Sequence, residues 1–190
     1  GVEDGQTMTV VLNGKSYTNT VTTSQSIVTI PAAALQALTD GQSYTVTANA
    51  SDVAGNAATQ VTSSQFTVDR TDPAIGAIGT GAFSWGALLN PSEDDSDGTV
   101  TVTTVGIEDG QTLTLTLDSK NYTNTVTGNS TIVTIPAADL QALTDQQSYT
   151  ITANVSDAAG NAATQVTSNS FSVDRTSPSI SSIGTSAFSW

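Results

Sequence analysis

The 190-residue sequence contains no cysteine and no histidine, and only four lysines and arginines stand against 17 aspartates and glutamates. The first two absences remove disulfides, thiolate chemistry, imidazole bases and the usual zinc and copper ligands together. The shortage of bases, with a net charge of -13, argues against nucleic acid and anionic membranes as partners, because phosphate recognition needs Lys and Arg. Aromatics make up 5% of the chain, too few to line a sugar-binding cleft generously. Long apolar runs are missing, so no segment is expected to insert in a bilayer, and no charged-then-apolar leader opens the sequence. Oxygen is what remains for a metal, which restricts the candidates to hard cations such as Ca2+ or Mg2+.

What is present is a repeat. Sliding the chain on itself places "GVEDGQTMTV" at Gly1 on "GIEDGQTLTL" at Gly106, a shift of about 105 residues. Residues 1–85 then match 106–190 without a gap at about 61 of 85 positions. The repeat has the size of a domain and not of a solenoid turn. The expected division is a first copy over 1–72 that lacks its N-terminal strands, a complete second copy over 73–177, and the first strand of a third over 178–190. Both ends interrupt a copy, which reads as an excerpt from a longer tandem array. An open first copy is expected to be completed by upstream residues or by strand exchange with another copy.

Within the second copy the side-chain period is two: "TVTVTT" (Thr99 to Thr104), "TLTLTL" (Thr112 to Leu117), "TIVTI" (Thr131 to Ile135), "SYTITANV" (Ser148 to Val155) and "SNSFSVD" (Ser168 to Asp174). Thr alternating with Val, Ile or Leu gives a sheet one wet and one buried face. Short strands with turn signals about every ten residues predict an all-β chain of tandem immunoglobulin-like β-sandwich domains, about seven strands each. Asn13-Gly14 and its counterpart Asp118-Ser119 predict hairpin turns. "PAADLQAL" predicts one helical turn started by Pro136, with Leu140 and Leu143 in the core.

"GIEDGQTLTLTLDSKNYTNTV", "TIPAADLQAL", "VSDAAGNAA" and "FSVDRTSP", in that order and spacing, resemble the bacterial immunoglobulin-like repeats in the middle region of giant secreted adhesins of Gram-negative bacteria, many of them RTX adhesins. The resemblance covers every part of the chain. It implies a spacer at the extracellular bacterial surface, type I secretion and calcium-dependent stiffening, although no glycine-rich RTX nonapeptide occurs here.

The acids fall outside strand interiors. Glu3, Asp4, Glu108 and Asp109 lie in the turn before "TMTVVL" or "TLTLTL"; Asp52 with Asn56, and Asp157 with Asn161, belong to the two copies of "SDxAGNAATQ". Asp69, Asp72 and Asp174 lie where one copy joins the next, and Glu93, Asp94, Asp95 and Asp97 form "EDDSDG". In an immunoglobulin-like sandwich the first two sets of loops sit at the pole where the chain comes in. Asp69, Asp72, Glu108, Asp109, Asp157 and Asn161 are therefore expected to converge. "SDAAGN" has two readings: a tight loop of good turn residues, or part of a cation site. Five carboxylates at one joint would repel one another, and Ca2+ is the remedy at neutral pH. In "EDDSDG", Glu93, Asp95, Asp97 and Gly98 mimic the opening of an EF-hand loop, but its twelfth position is Thr104 and not Glu. That leaves a solvated acidic loop or a looser calcium site.

Other signals have plainer explanations. Thr-x-Thr could suggest an ice-binding face, yet Thr is the ordinary wet-face residue of a strand. Asn49-Ala-Ser, Asn121-Tyr-Thr, Asn129-Ser-Thr and Asn154-Val-Ser fit the glycosylation triplet, which recurs by chance in Ser/Thr-rich chains. Trp85 and Trp190, each in "AFSW" early in a first strand, are read as core. Carboxylates alone can hydrolyse glycosides, but a catalytic site has no reason to recur in near-copies, whereas a spacer lengthens with each one. The sequence therefore points to a non-enzymatic extender that projects a distal binding domain for surface attachment or biofilm formation. Its partners are neighbouring repeats of the same chain. The alternative is a module that itself binds glycan or ice.

Overall fold

The computed structural model describes residues 1–181; Trp190, and the expected third-copy strand from residue 182 onward, lie outside the described residues. The chain forms two compact units, Gly1–Thr71 and Asp72–Trp190. Unit 1 carries β1 (Thr7–Leu12), β2 (Lys15–Thr20), α1 (Ala32–Gln36), β3 (Ser43–Tyr44), β4 (Val46–Ala50), β5 (Val61–Thr62) and β6 (Phe66–Thr67). Unit 2 continues with β7 (Ala74–Ile75), β8 (Leu88–Leu89), β9 (Gly98–Val105), β10 (Thr112–Leu117), β11 (Lys120–Thr125), β12 (Ser130–Ile135), α2 (Ala137–Gln141), β13 (Ser148–Tyr149), β14 (Thr152–Asn154), β15 (Val166–Thr167) and β16 (Phe171–Val173).

The alternating pattern does what a period of two requires. In unit 2, Val100 and Val102 of β9, Leu113, Leu115 and Leu117 of β10, and Val133 and Ile135 of β12 are buried, while the intervening Thr side chains turn outward or lie at the margin. Strand orders β11-β10-β14-β15 and β12-β9-β7, with β13-β16-β8 beside them, enclose one core. This neighbour order is that of an immunoglobulin-like β-sandwich. The β1–β2 and β10–β11 hairpins turn on Asn13-Gly14 (φ 48 and 73) and Asp118-Ser119 (φ 47 and 65), the left-handed pair a two-residue loop demands.

The structure departs from the sequence reading in its last strands and at Trp85. The expected strand over Ser148 to Val155 is divided into β13 and β14, the expected strand over Ser168 to Asp174 is shortened to β16, and β15 is added ahead of it; β13 pairs with β16, while β14 pairs with β10 and β15. The break is held by Ser168, whose hydroxyl accepts the Ile151 N–H at 2.8 Å while its own N–H donates to Ile151 O at 2.8 Å. Ser63 does the same for Val46 in unit 1. Pro136 starts α2, as expected, from the N-cap position: its carbonyl accepts the Asp139 and Leu140 N–H groups at 2.9 and 3.2 Å. Trp85 is core, as expected, at 4% exposure, but it occupies a turn ahead of β8 and not a strand. It stacks on Phe83 at 5.2 Å and meets Phe171 edge-on at 5.3 Å. Gly98 makes room for it: a Cβ there would stand 2.6 Å from Trp85 Cζ3 and 2.8 Å from Leu140 Cδ1.

Unit 1 repeats the β2-β1-β4-β5 sheet and pairs β3 with β6, but residues 26–30, the counterpart of β12, join no ladder among the described residues. Its buried apolar side chains are Leu12, Val21, Leu38 and Ala50.

Candidate functional site

The two "SDxAGN" loops are built alike. In unit 2 the Asn161 N–H donates to Asp157 Oδ1 at 2.7 Å and the Asn161 side-chain amide to Oδ2 at 2.8 Å. In unit 1 the corresponding Asn56 donors reach Asp52 Oδ1 and Oδ2 at 2.7 and 2.8 Å. Gly55 and Gly160, at φ 88 and 95, supply the left-handed corner between the two residues. The loop is thus a carboxylate gripped by its own turn, which explains half of its composition. Asp157 is 4% exposed. Its burial works against ionisation, yet the N–H groups of Asn161, Gly160 and Ala159 outweigh that and hold its carboxyl below the usual range. Asp52 is held low as well, chiefly by the Asn56 side chain and backbone.

The turn before β10 meets this loop. Glu108 Oε2 accepts the Ala158 N–H at 2.9 Å, and in unit 1 Glu3 Oε2 accepts Val53 N–H at 3.1 Å. Asp109 faces elsewhere and accepts Gly128 N–H at 2.6 Å; Asp4 likewise accepts Ser24 N–H at 3.1 Å and is held low by Thr23 and Ser24. A Cβ on Gly106 would stand 3.6 Å from Pro73 Cα, so the start of unit 2 runs past this same turn. Within unit 2 the structure therefore brings together Pro73, Glu108 and the Asp157–Asn161 loop. Asp69 and Asp174 each accept an N–H two residues on, from Thr71 and Thr176, at 3.0 Å. Asp72 opens unit 2.

The donor chemistry of these residues, oxygen throughout, fits a hard cation. Among the described residues, however, no group of three or more acids is spaced to hold an ion by itself. A complete coordination shell would need more than the carboxylates that either loop pair contributes.

The "EDDSDG" acids have identifiable structural partners. Glu93 Oε2 accepts Asn90 N–H at 3.0 Å, and Asp97 Oδ1 accepts Ala137 N–H at 2.9 Å at the start of α2. Asp95 is exposed. Asp94, 3% exposed, pairs with Arg175 at 2.9 Å, and the same guanidinium donates to Leu143 O and Leu140 O at 2.7 and 2.9 Å. Composition gave no sign of this pair; the burial of Asp94 depends on a partner 81 residues away.

Each unit also carries a shallow groove on its four-stranded sheet. One, of about 390 Å³, is flanked by Gln111, Thr112, Thr114, Asn154 and Ser156, and the other, of about 400 Å³, by Gln6, Thr7, Thr9, Asn49 and Ser51. Neither has an aromatic ring in its lining on which a sugar could stack. No described helix is long and apolar enough to cross a membrane.

Neither a protein-family model nor a curated protein matches the chain. Among solved structures it is similar to a 1.5-MDa bacterial ice-binding adhesin studied for host cell surface retention, with 29% identity over 92% of this chain and 55% of that one and a TM-score of 0.49. It is similar to a Ca2+-stabilized adhesin with which an Antarctic bacterium binds ice, with 30% identity over 92% of this chain and 41% of that one and a TM-score of 0.49. A bacterial immunoglobulin-like domain from the M. primoryensis ice-binding adhesin is 29% identical over 54% of this chain and 96% of its own length, with a TM-score of 0.37. The chain thus spans about half the length of the first two. All three TM-scores lie below 0.5, and the fold assignment rests on the strand pairing above.

Proposed function

We propose that this chain is a piece of the extender region of a large, secreted bacterial surface adhesin, a non-enzymatic spacer whose tandem sandwiches are stiffened by calcium where one joins the next. The observation that carries this reading is the near-identical construction of one loop pair in both units: Asp52–Asn56 with Glu3, and Asp157–Asn161 with Glu108. A catalyst or a unique binding tip gains nothing from such duplication. A spacer gains the same joint each time. Calcium would draw oxygens from Asp157, Asn161 and Glu108 on one side and from Asp69 and Asp72 in the connecting stretch, while Asp109, turned towards Gly128, stands outside the set. Glu3, Asp52 and Asn56 are the matching set for a preceding module, with Asp4 turned towards Ser24. At the following joint Ser177 replaces Asp72, although Asp174 matches Asp69, so calcium would bind there more weakly. An ion used outside cells works with an affinity of about 0.1 to 1 mM. Bound calcium would supply charge neutralisation among the carboxylates, and the distal domain that the spacer carries would make contact with the target surface.

Thermal melts in calcium and in excess chelator test this. Calcium at about 100 times its dissociation constant stabilises the folded state by ~2.7 kcal/mol, a shift of several degrees. Asp157→Ala and Asp72→Ala are expected to shrink the difference between the two melts. Equal melts in the two buffers would contradict the calcium joint.

A further inference from the structure

The asparagines of this chain differ in how tightly their amides are held. Asn13 is the first residue of the β1–β2 turn, and no other asparagine in the sequence is followed by glycine. Both turn residues are exposed, and a Cβ added to Gly14 would meet no atom within 4 Å. Glycine also lacks the side chain that would screen its nitrogen. Among the described residues neither the Asn13 side chain nor the Gly14 N–H makes a hydrogen bond; the hairpin closes one pair further along, at Leu12 and Lys15.

The remaining asparagines are held or shielded. Asn19 and Asn124 donate their amides to Ile27 O and Ile132 O at 2.7 Å, and Asn56 and Asn161 donate theirs to Asp52 and Asp157 at 2.8 Å. Asn49, Asn121 and Asn154 sit within strand ladders. Asn90 precedes Pro91, which has no N–H to lose. Asn129 and Asn169 are exposed but precede serine, whose side chain crowds the nitrogen.

The equivalent turn of unit 2 shows what this corner accepts. Asp118 holds φ 47 there against φ 48 for Asn13, and β10 and β11 keep the register of β1 and β2. A carboxylate fits the corner without disturbing the hairpin.

We propose that Asn13 is a self-modification site, converted to an acidic residue by its own backbone in the folded protein. The Gly14 nitrogen, on losing its proton, bonds to Asn13 Cγ and closes a cyclic imide. The Cγ–Nδ2 bond breaks, and the amide leaves with that proton as ammonia. Water then opens the ring, giving its hydroxyl to a carbonyl carbon and its proton to the Gly14 nitrogen. Opening at Cγ yields aspartate, the residue unit 2 carries. Opening at the main-chain carbonyl yields isoaspartate, whose backbone runs through Cβ and Cγ and is one atom longer. A two-residue loop has no room for that atom, so isoaspartate loosens the Leu12–Lys15 pair. Either product adds one negative charge to the net -13. The reaction needs only water and is independent of calcium.

The test is incubation of the full chain at mildly alkaline pH, followed by peptide mapping with mass spectrometry. The peptide holding Asn13 is expected to gain the mass of an amide-to-acid conversion ahead of those holding Asn129 and Asn169, at a rate that rises in proportion to hydroxide. Gly14→Ser is expected to slow the conversion about tenfold or more, a barrier higher by about 1.4 kcal/mol or more. An Asn13→Asp variant is expected to keep the parent's amide-exchange protection along β1 and β2, whereas the separated isoaspartate product loses it beside Leu12 and Lys15. Conversion of Asn129 or Asn169 first, conversion of Asn13 only in denaturant, or an unchanged rate in Gly14→Ser would overturn the proposal. Loss of protection in Asn13→Asp would overturn it too, by showing that the corner rejects the product.

Discussion

Asp157 shows how one side chain can serve a loop and remain an anion. Its folded pKa lies below the ordinary value, so it stabilises the fold above its unfolded pKa of about 3.9 and loses that contribution as the pH falls through its folded pKa. The melting temperature is therefore expected to hold from neutral pH to about 5 and to drop below about 4. An Asp157→Asn variant should melt lower at neutral pH, with the gap to the parent narrowing in acid. Tyr122 titrates at the other end. Burial, and then its bond and proximity to Asp139, push its phenol up to about 12. The neutral form belongs to the fold, so this contribution is complete below about pH 10 and is lost as pH rises towards 12. Tyr122 is expected to ionise late in a tyrosinate absorbance titration, and Tyr122→Phe should remove that late phase. Ser119 and Gln146 hold φ 65 and 61 where the other copy has Gly14 and Gly41. Replacing either with glycine should stabilise unit 2 by about 0.5 kcal/mol, the relief of left-handed strain less the entropy that glycine adds to the unfolded chain.

At the scale of elements, the burial differences between the units make a paired experiment. Leu140 of α2 is fully buried and Leu35 of α1 is half-exposed, so Leu140→Ala is expected to cost about 3 kcal/mol and Leu35→Ala about 1 kcal/mol or less by chemical denaturation. Asp94→Ala should cost unit 2 about 3 kcal/mol, because it strands a guanidinium that the fold has largely desolvated. The strands β9 to β12, the Asn-Gly and Asp-Ser hairpins and the buried Leu140 and Leu143 were legible in the sequence, since each is written in local periodicity or local turn chemistry. The Asp94–Arg175 pair, the Ser168 break and the turn that carries Trp85 were not. Each depends on a partner far along the chain: Arg175 for Asp94, Ile151 for Ser168, Gly98 and Leu140 for Trp85. An acidic run in isolation looks like solvent-facing charge or a metal loop whichever residue it will meet. The site was half legible for the same reason. The meeting of Glu108 with the Asp157 loop follows from strand order, but the turn of Asp109 towards Gly128 is settled by a hairpin loop elsewhere in the sequence.

For the whole molecule, the repeat is the governing feature: two near-copies of one sandwich, of which unit 2 has its covering segment and unit 1 has none among the described residues. Calorimetry is expected to show two transitions, with unit 1 melting first because its core side chains remain in contact with water. Small-angle scattering on a chain extended to two complete copies tests the calcium joint between modules. A longer maximum dimension and a rod-like distance distribution are expected in calcium, both lost in excess chelator and both reduced by Asp72→Ala. The same maximum dimension and distribution in the two buffers would contradict it and leave "SDAAGN" as a loop held only by its own hydrogen bonds.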